Sequence, residues 1–304
     1  MALGALDGCA AKAAFETLSQ ARPALEAAGV DLVPIISVAA GLAFAGAAEA
    51  ADWLVFVSEA GGLETLSAGG KPAVLAVDGA GRTVGLFVFE SAEQLIERAA
   101  ALAPRFARDP GRVCESAAPV LFIPNVATPE TCEALIAHFE ASPHEAGRMA
   151  ALVGANGDKN KLDESIKHRR DMELTPDSPL HAEMLELLAG RVVPEIKKAF
   201  QKDVGFVDRI LIARYDDTGG YFKRHRDNAL PHTAFRDFAV SLNLNTDAYE
   251  GGALRFPEYD DNLYRPPAGA AGVFSASVLH EATAVTKGSR YVLLTFVSST
   301  PGQA

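Results

Sequence analysis

The stretch LIARYDDTGGYFKRHRDN, residues 211–228, carries the pattern that decides the fold. Within it, His225 and Asp227 stand two apart behind an apolar, strand-like flank. Alternate residues of an extended chain point to the same side, so an imidazole nitrogen and a carboxylate oxygen would project together. Such a pair is either a salt-bridged surface pair or part of a metal site, and the stretch alone leaves both interpretations open.

A third candidate ligand, His280, lies at the end of an apolar strand in VFSASVLHEATAV, and Arg290 follows on the next strand. A cation among residues as apolar as YVLLTFV is costly unless it meets an anion. Two imidazoles and one carboxylate on one face of an iron ion are typical of non-haem Fe(II) oxygenases. The arginine would then pair in two-pronged fashion with the far carboxylate of a dicarboxylate co-substrate.

The chain around these residues reads as helices followed by strands. A strand at PVLFIPNV precedes a helix at TPETCEALIAHFEAS, for which Thr128 is the predicted cap and Pro129 the first residue. We expect residues 154–174 to form a mobile loop and residues 178–200 one long helix. From Val204 onward short strands alternate with turn signals, which predicts a barrel or a sandwich.

Three stretches of this region, LIARYDDTGGYFKRHRDN, LNLNTDAYEGGALRFPE and VFSASVLHEATAVTKGSRYVLLTF, resemble the prolyl-4-hydroxylase-like family of Fe(II)- and 2-oxoglutarate-dependent dioxygenases. The resemblance implies an α+β fold whose centre is a double-stranded β-helix, a jelly-roll barrel with supporting helices, over residues 117–304. It implies iron ligands at His225, Asp227 and His280. It also implies that Arg290 anchors 2-oxoglutarate, that the Tyr215 hydroxyl reaches the co-substrate, and that Asn243 stands where some relatives carry a further co-substrate-binding tyrosine.

The function implied by this resemblance is hydroxylation of a substrate C–H bond with release of succinate and carbon dioxide. Ascorbate commonly sustains such enzymes, so an ascorbate requirement is expected here as well. The family suggests peptidyl proline as the substrate, while related barrels act on free amino acids and small metabolites. The partner is therefore an unknown protein, peptide or small molecule, for which Arg169 and Arg170 in the predicted loop and Arg255 at the barrel mouth are candidate contacts.

Residues 1–108 have a different texture, because Ala-rich helices alternate with short apolar strands and a hairpin. Their order resembles the thioredoxin-like fold of peroxiredoxins, and the absence of a CxxC motif implies a degenerate domain used for packing or partner binding. Cys9 lies near the start of the first helix, where a helix N-terminus could lower a thiol pKa. The polar stretch 105–117 is the predicted linker to the second domain.

Composition narrows the partners and the compartment. The 304 residues carry a formal net charge of −11 and no basic stretch, which argues against nucleic-acid binding. Three cysteines without metal or disulfide spacing are typical of reduced thiols in a cytosolic protein. The most apolar run is interrupted by Glu49 and Asp52 and is too short to span a bilayer. A cytoplasmic protein without a membrane partner is therefore predicted.

Two alternatives to the hydroxylase stay open at this stage. The first is a noncatalytic partner-binding module built on the same barrel, against which the complete ligand set argues. The second is a thiol peroxidase with an appended barrel, which depends on Cys9 alone.

Overall fold

A computed structural model describes residues 8–27, 30, 35–37, 56–58, 73–77, 83–102, 113–152 and 160–302 of the chain. The chain divides into two compact units, Met1–Gly111 and Arg112–Ala304. Each unit has a hydrophobic core of its own among the described residues.

The described part of the first unit contains two helices and two small pairs of strands. Strands β1 and β2 pair in parallel, and β3 and β4 pair in antiparallel fashion. The Ser91 hydroxyl accepts a hydrogen bond from the Gln94 N–H at 3.3 Å, which confirms Ser91 as a cap of the second helix. The bounds are α1 (Gly8–Ala27), β1 (Ile35–Ser37), β2 (Phe56–Ser58), β3 (Ala73–Val77), β4 (Thr83–Val88) and α2 (Ala92–Leu102).

The core of this unit is formed by the apolar face predicted for α1. Phe15, Leu18 and Leu25 are buried there and pack in one cluster with Phe89 and Leu95. The predicted hairpin turn at 78–81, residues 105–112 of the predicted linker and the side chain of Cys9 lie outside the described residues. The thioredoxin-like fold therefore stays a prediction.

The second unit begins with helices that cover one face of a sheet. Helix α3 (Pro129–Ala141) starts where the sequence predicts, and the Thr128 hydroxyl accepts from the Thr131 N–H at 3.2 Å. The predicted single helix over 178–200 is instead α4 (Pro179–Leu187), a π-helical segment (Leu188–Val192) and α5 (Val193–Phe200). Pro194 lacks an N–H, and its ring would clash with the carbonyl of the preceding turn. The wider π turn directly before it relieves that clash.

Fourteen strands are described in this unit, together with two short 3-10 turns at Pro231–Thr233 and Thr246–Ala248. The strand bounds are β5 (Val120–Ile123), β6 (Glu145–Ala146), β7 (Met149–Ala150), β8 (Asn160–Lys161), β9 (Lys167–His168), β10 (Arg170–Glu173), β11 (Phe206–Asp216), β12 (Tyr221–His225), β13 (Phe238–Asn243), β14 (Tyr249–Gly251), β15 (Leu254–Arg255), β16 (Ala271–Ser275), β17 (His280–Ala282) and β18 (Val285–Ser298).

Most of these strands belong to two antiparallel sheets. The larger sheet has the order β5-β16-β13-β18-β11-β10-β6, with β14 also paired to β18, and the smaller sheet has the order β15-β17-β12-β9. Alternate residues of β11 separate two cores: Ile210 and Ile212 pack with the helices, whereas Leu211 and Ala213 pack with residues of the smaller sheet. The unit is thus a sheet-rich mixed α/β fold.

The prediction of a mobile loop over residues 154–174 is wrong from residue 160 onward. Strand β10 pairs with β11 in the larger sheet, and β9 pairs with β12 in the smaller one. Met172 and Leu174 are buried while Glu173 between them is exposed, which is the period of a half-buried strand. The period is not evident in the sequence because Lys167, Arg169 and Asp171 are charged residues at buried positions. Their side chains are buried together as an ion-paired group.

Candidate metal centre

The three predicted metal ligands come together at one end of the smaller sheet. His225 is the last residue of β12 and His280 the first of β17, and the two lie opposite each other in the antiparallel register. Asp227 follows in a turn whose backbone N–H donates to the Ala276 carbonyl at 2.9 Å. One ligand atom from each of the three lies within 4.8 Å of the others. The arrangement thus offers two nitrogens and one carboxylate oxygen to a single ion.

Hydrogen bonds to the backbone orient both imidazole rings. Nδ1 of His225 lies 2.7 Å from the Lys223 carbonyl, and Nδ1 of His280 lies 3.0 Å from the Val278 carbonyl. A carbonyl only accepts, so Nδ1 of each neutral ring carries the hydrogen and Nε2 keeps its lone pair. Both Nε2 atoms face the Asp227 carboxylate, at 3.5 and 3.4 Å. The hydrogen bond from Nδ1 of each ring to a backbone carbonyl is typical of metal-binding histidines, because it leaves Nε2 free to bind the metal.

Burial and charge keep His280 and Asp227 in their ligand forms near neutral pH. Burial lowers the pKa of His280 to about 4, so its imidazole is neutral. Burial would raise the pKa of Asp227, but His280, His225 and Arg236 oppose it and lower that pKa to about 2. Metal binding requires neutral imidazoles and an ionised carboxylate. The group therefore matches the donor set of a divalent iron site.

Arg290 is fully enclosed on β18 and, among the described residues, meets no carboxylate. Its Nη2 donates to the Asn243 Oδ1 at 3.1 Å, and its Nε is buried with no hydrogen-bond partner within the described part of the chain. Its guanidinium lies over the Tyr215 ring, 5.2 Å from the centroid. A buried cation with an unpaired donor is costly, so binding of an anion beside it is favoured.

Tyr215 and Asn243 already form hydrogen bonds with other groups of the chain. The Tyr215 hydroxyl accepts from Arg169 Nη1 at 2.6 Å. The Asn243 Nδ2 donates to the Pro266 carbonyl at 2.9 Å, and Asn243 is not among the residues that line the cavity. Asn243 therefore holds Arg290 in position, and a direct contact of Asn243 or Tyr215 with the co-substrate stays a prediction.

A cavity of about 360 Å³ connects the candidate ligands with Arg290 and Tyr215. Of the three candidate substrate contacts, Arg169 lines it, whereas Arg170 and Arg255 do not. Arg170 is exposed and donates to the Nδ1 and carbonyl of His144, both at 2.8 Å. Arg255 pairs with Asp261 and Glu281. The structure thus gives neither Arg170 nor Arg255 a position in this cavity.

Sequence reasoning missed the buried ion-paired group in which Arg169 and Lys167 share the Asp171 carboxylate. The Asp171 carboxylate accepts from Arg169 Nε at 2.6 Å and from Lys167 Nζ at 2.8 Å. Burial would raise the pKa of Asp171, but the two cations lower it. Burial, with Arg169 beside it, lowers the pKa of Lys167 to about 7. The i, i+2 spacing of the three residues was the available signal, because it predicts one face of a strand.

Known proteins resemble this chain over the same residues. A model described as the 2OG-Fe(II) oxygenase superfamily matches residues 210–298. A PKHD-type hydroxylase of Picosynechococcus sp. is 31% identical over 192 residues, which are 58% of this chain and 77% of the relative. The chain belongs to the 2OG-Fe(II) oxygenase superfamily. As an oxygenase of this superfamily it is an oxidoreductase, and the donor set at His225, Asp227 and His280 fits the iron that such enzymes use.

Other relatives match a smaller part of the oxygenase. A PKHD-type hydroxylase of Maricaulis maris is 33% identical over 115 residues, which are 34% of this chain and 52% of the relative. The chain therefore spans about half the length of that relative. A crystal structure of a Pseudomonas putida prolyl-4-hydroxylase aligns with a TM-score of 0.44 and 19% identity, covering 60% of this chain and 93% of that one.

The superfamily membership decides between the alternatives drawn from the sequence. It favours the enzyme over the noncatalytic binding module, and it gives the thiol peroxidase no support. No helix in the described ranges combines the length and the apolar composition that crossing a bilayer requires.

Proposed function

We propose that this oxygenase hydroxylates a C–H bond of a peptide or small molecule, with iron held by His225, Asp227 and His280. The observation that carries the proposal is the convergence of their ligand atoms within 4.8 Å, with both Nδ1 atoms already bonded to the backbone. When bound, Fe(II) supplies the redox chemistry that couples decarboxylation of 2-oxoglutarate to insertion of oxygen into the substrate.

The chain's own residues bind and orient the co-substrate. Arg290 presents its free Nε–H to the distal carboxylate, while Asn243 and the Tyr215 ring fix the guanidinium plane. Phe222 stacks on the His225 ring at a centroid distance of 3.5 Å, and Phe274 packs on His280 at 4.6 Å. These aromatic rings hold the imidazoles in place and exclude water from their inner sides.

We also propose that the two antiparallel sheets are the halves of a jelly-roll barrel. Support comes from the core that they share, in which Leu211 and Ala213 of the larger sheet pack with Leu254 and Ala282 of the smaller one. The ligands at the end of β12 and the start of β17 would then lie at the open end of that barrel.

Substrate identity rests on the sequence resemblance and on the names of relatives, which are hydroxylases. Peptidyl proline is the substrate that the resemblance suggests. An ascorbate requirement, a cytoplasmic location and the absence of nucleic-acid and membrane partners stay predictions.

The proposal is tested by measuring succinate released from 2-oxoglutarate by the Fe(II)-loaded protein, with and without pools of peptides and metabolites. His225→Ala and His280→Ala should each abolish iron-dependent turnover and still give a folded circular dichroism spectrum. His181→Ala, on α4 away from the cavity, is the matched control and should keep wild-type turnover. Wild-type activity in either ligand variant would refute the assignment.

A further inference from the structure

The cavity at the candidate metal centre is lined by more cations than acids. Within the described residues, Asp227 is its one acidic lining residue. The cationic lining residues are Arg148, Lys167, Arg169, Arg209, Arg226, Arg236 and Arg290.

Four of these cations have acidic partners of their own. Lys167 and Arg169 share Asp171, Arg226 pairs with Glu258 at 2.5 Å, and Arg236 pairs with Asp208 at 2.6 Å. Acidic residues of the chain thus balance the charges of Arg226 and Arg236. The single carboxylate of Asp171 balances the pair Lys167 and Arg169 only in part.

The half-buried Arg209 and the buried Arg290 remain without an acid in the part of the chain that is described. Arg148, which also lacks one there, is exposed and can be balanced by solvent. The Nε of Arg209 is buried and has no hydrogen-bond partner among the described residues. A guanidinium donor that is removed from water and left unpaired is costly, so an incoming anion would be favoured there.

Arg209 lies at a β-bulge of β11, on the same face of the strand as Leu211 and Ala213. Val207 lies opposite Val297 and Ile210 opposite Thr295, so two residues of β11 face the single residue Phe296 of β18. Val207 and Ile210 both pack on the helix side of the sheet, and the two residues between them lie on the other side. Bulges recur beside active sites, where they redirect a side chain. Here the period of β11 already directs Arg209 to the cavity side, and the bulge brings Asp208 to that side as well, where it pairs with Arg236.

The co-substrate cannot serve both free guanidinium groups. Arg290 lies opposite Tyr215 in the strand register, and Arg209 lies six residues before Tyr215 on β11. At about 3.3 Å per residue, that separation is on the order of 20 Å, or somewhat less across the bulge. A five-carbon diacid bound at Arg290 and at the metal has both of its carboxylates engaged and leaves neither for Arg209. The second cation therefore needs a second anion.

We propose that Arg209 binds a carboxylate or phosphate group of the substrate, so that this oxygenase acts on anionic molecules. The inference rests on the proposed function, because it takes the anion at Arg290 to be 2-oxoglutarate. A guanidinium suits this task, since its planar fork matches the two oxygens of a carboxylate or phosphate. The pKa of Lys167 agrees with this assignment. That pKa is lowered mainly by burial and, among the nearby charges, by Arg169 and Arg209. An anion at Arg209 would offset that excess of positive charge.

The test is isothermal titration of the protein loaded with Zn(II) and one equivalent of 2-oxoglutarate, which fills the co-substrate site. N-acetylglycine is titrated in one arm and inorganic phosphate in the other, which distinguishes a carboxylate site from a phosphate site. The wild type should bind at least one of the two probes, and Arg209→Gln should bind it at least tenfold more weakly. Arg209→Lys keeps the charge and should fall between them.

Arg224→Gln is the matched control, because Arg224 is an exposed cation of β12 outside the cavity, and it should bind the probe as the wild type does. Succinate release by the wild type without substrate is measured alongside, because it tests the proposed function independently of Arg209. The inference is overturned if the wild type binds neither probe, or if Arg209→Gln binds the probe as tightly as the wild type does. Normal succinate release would in that case leave the proposed function intact. Arg209-dependent binding in a protein that makes no succinate would instead refute the proposed function alone.

Discussion

Arg290 illustrates at the scale of one residue how a sequence signal becomes a physical one. The sequence shows a cation in an apolar strand, and the structure adds that its side chain is enclosed with a buried, unpartnered Nε. Its hydrogen-bond acceptors among the described residues are the neutral oxygens of Ser241 and Asn243, at 3.4 and 3.1 Å. Neutral acceptors orient a guanidinium without cancelling its charge, which leaves the charge available to a co-substrate.

Arg290→Ala should therefore raise the dissociation constant for 2-oxoglutarate a hundredfold or more. Removal of one partner of a buried charge pair costs about 3–5 kcal/mol, and each 1.4 kcal/mol is about tenfold in affinity. Tyr215→Phe should cost less, because its hydroxyl is already bonded to Arg169. Isothermal titration of the metal-loaded protein measures both. Arg214→Gln, on the opposite face of β11 and paired with Glu140, is the control and should keep wild-type affinity.

Lys167 gives a prediction for the pH dependence of stability. Its pKa is about 7 in the folded chain and ordinarily 10.5. Between these values the unfolded chain holds a proton that the folded chain has released, so the contribution of Lys167 to the free energy of unfolding rises with pH. This contribution is complete above 10.5 and is lost as the pH falls to 7.

The matched comparison is Lys167→Met, which keeps a side chain of similar length and removes the titrating group. The difference in unfolding free energy between wild type and variant should grow from pH 7 to pH 9.5, by at most about 1.4 kcal/mol per pH unit. Urea denaturation at several pH values measures this difference. A difference that is constant over this range would show that Lys167 keeps an ordinary pKa.

At the scale of elements, helix ends follow from local sequence whereas helix interiors and loops do not. Thr128 and Pro129 predict the start of α3, because a cap bond and a fixed φ act within one turn. The π segment before Pro194 and the strand β10 depend on neighbours. Strand β10 lies between β6 and β11, and the charges on its face are stabilised by one another.

Thr128→Ala should lower the free energy of unfolding of the second unit by about 1 kcal/mol, because the N–H of Thr131 loses its acceptor. Thr128→Ser keeps the hydroxyl and should stay within about 0.5 kcal/mol of the wild type. Urea denaturation followed by circular dichroism measures both variants. Equal stability of the alanine and serine variants would contradict the role of the cap.

At the scale of the whole molecule, the residues of the candidate site all lie in the second unit. Ala118 already belongs to that unit: it is buried among residues of both sheets, and its N–H donates to the Tyr264 hydroxyl at 2.7 Å. A chain shortened to the second unit should therefore begin at Arg112, before this contact.

Such a shortened chain should bind Fe(II) and 2-oxoglutarate and release succinate slowly without substrate, because its core and its ligand set are complete. Circular dichroism establishes that it is folded, and succinate release is compared with that of the full chain. A folded shortened chain that neither binds 2-oxoglutarate nor makes succinate would show that the first unit completes the site. Loss of substrate-dependent turnover alone would indicate that the first unit contributes to substrate binding.

The sequence by itself determined the residue types and spacing of the metal centre, the strand-rich character of the chain after Val204, and the cap of α3. These features depend on residues near one another in the chain: the period of a strand brings His225 and Asp227 to one side, and an apolar strand makes Arg290 conspicuous. His280 was found from the sequence because it follows an apolar stretch, although the structure places it at the start of β17 and not at the end of a strand.

Only the tertiary structure decided which charges are buried together and which remain free. Lys167, Arg169 and Asp171 fall in the stretch that was predicted to be a mobile loop, because their burial depends on β9 and β10 joining two different sheets. Arg209 was not predicted, since the period of β11 gives its side but not the pairing register that brings the neighbouring Asp208 to Arg236 and leaves Arg209 without an acid among the described residues. Pairing register is a property of two strands distant in sequence, so no local pattern in either strand contains it.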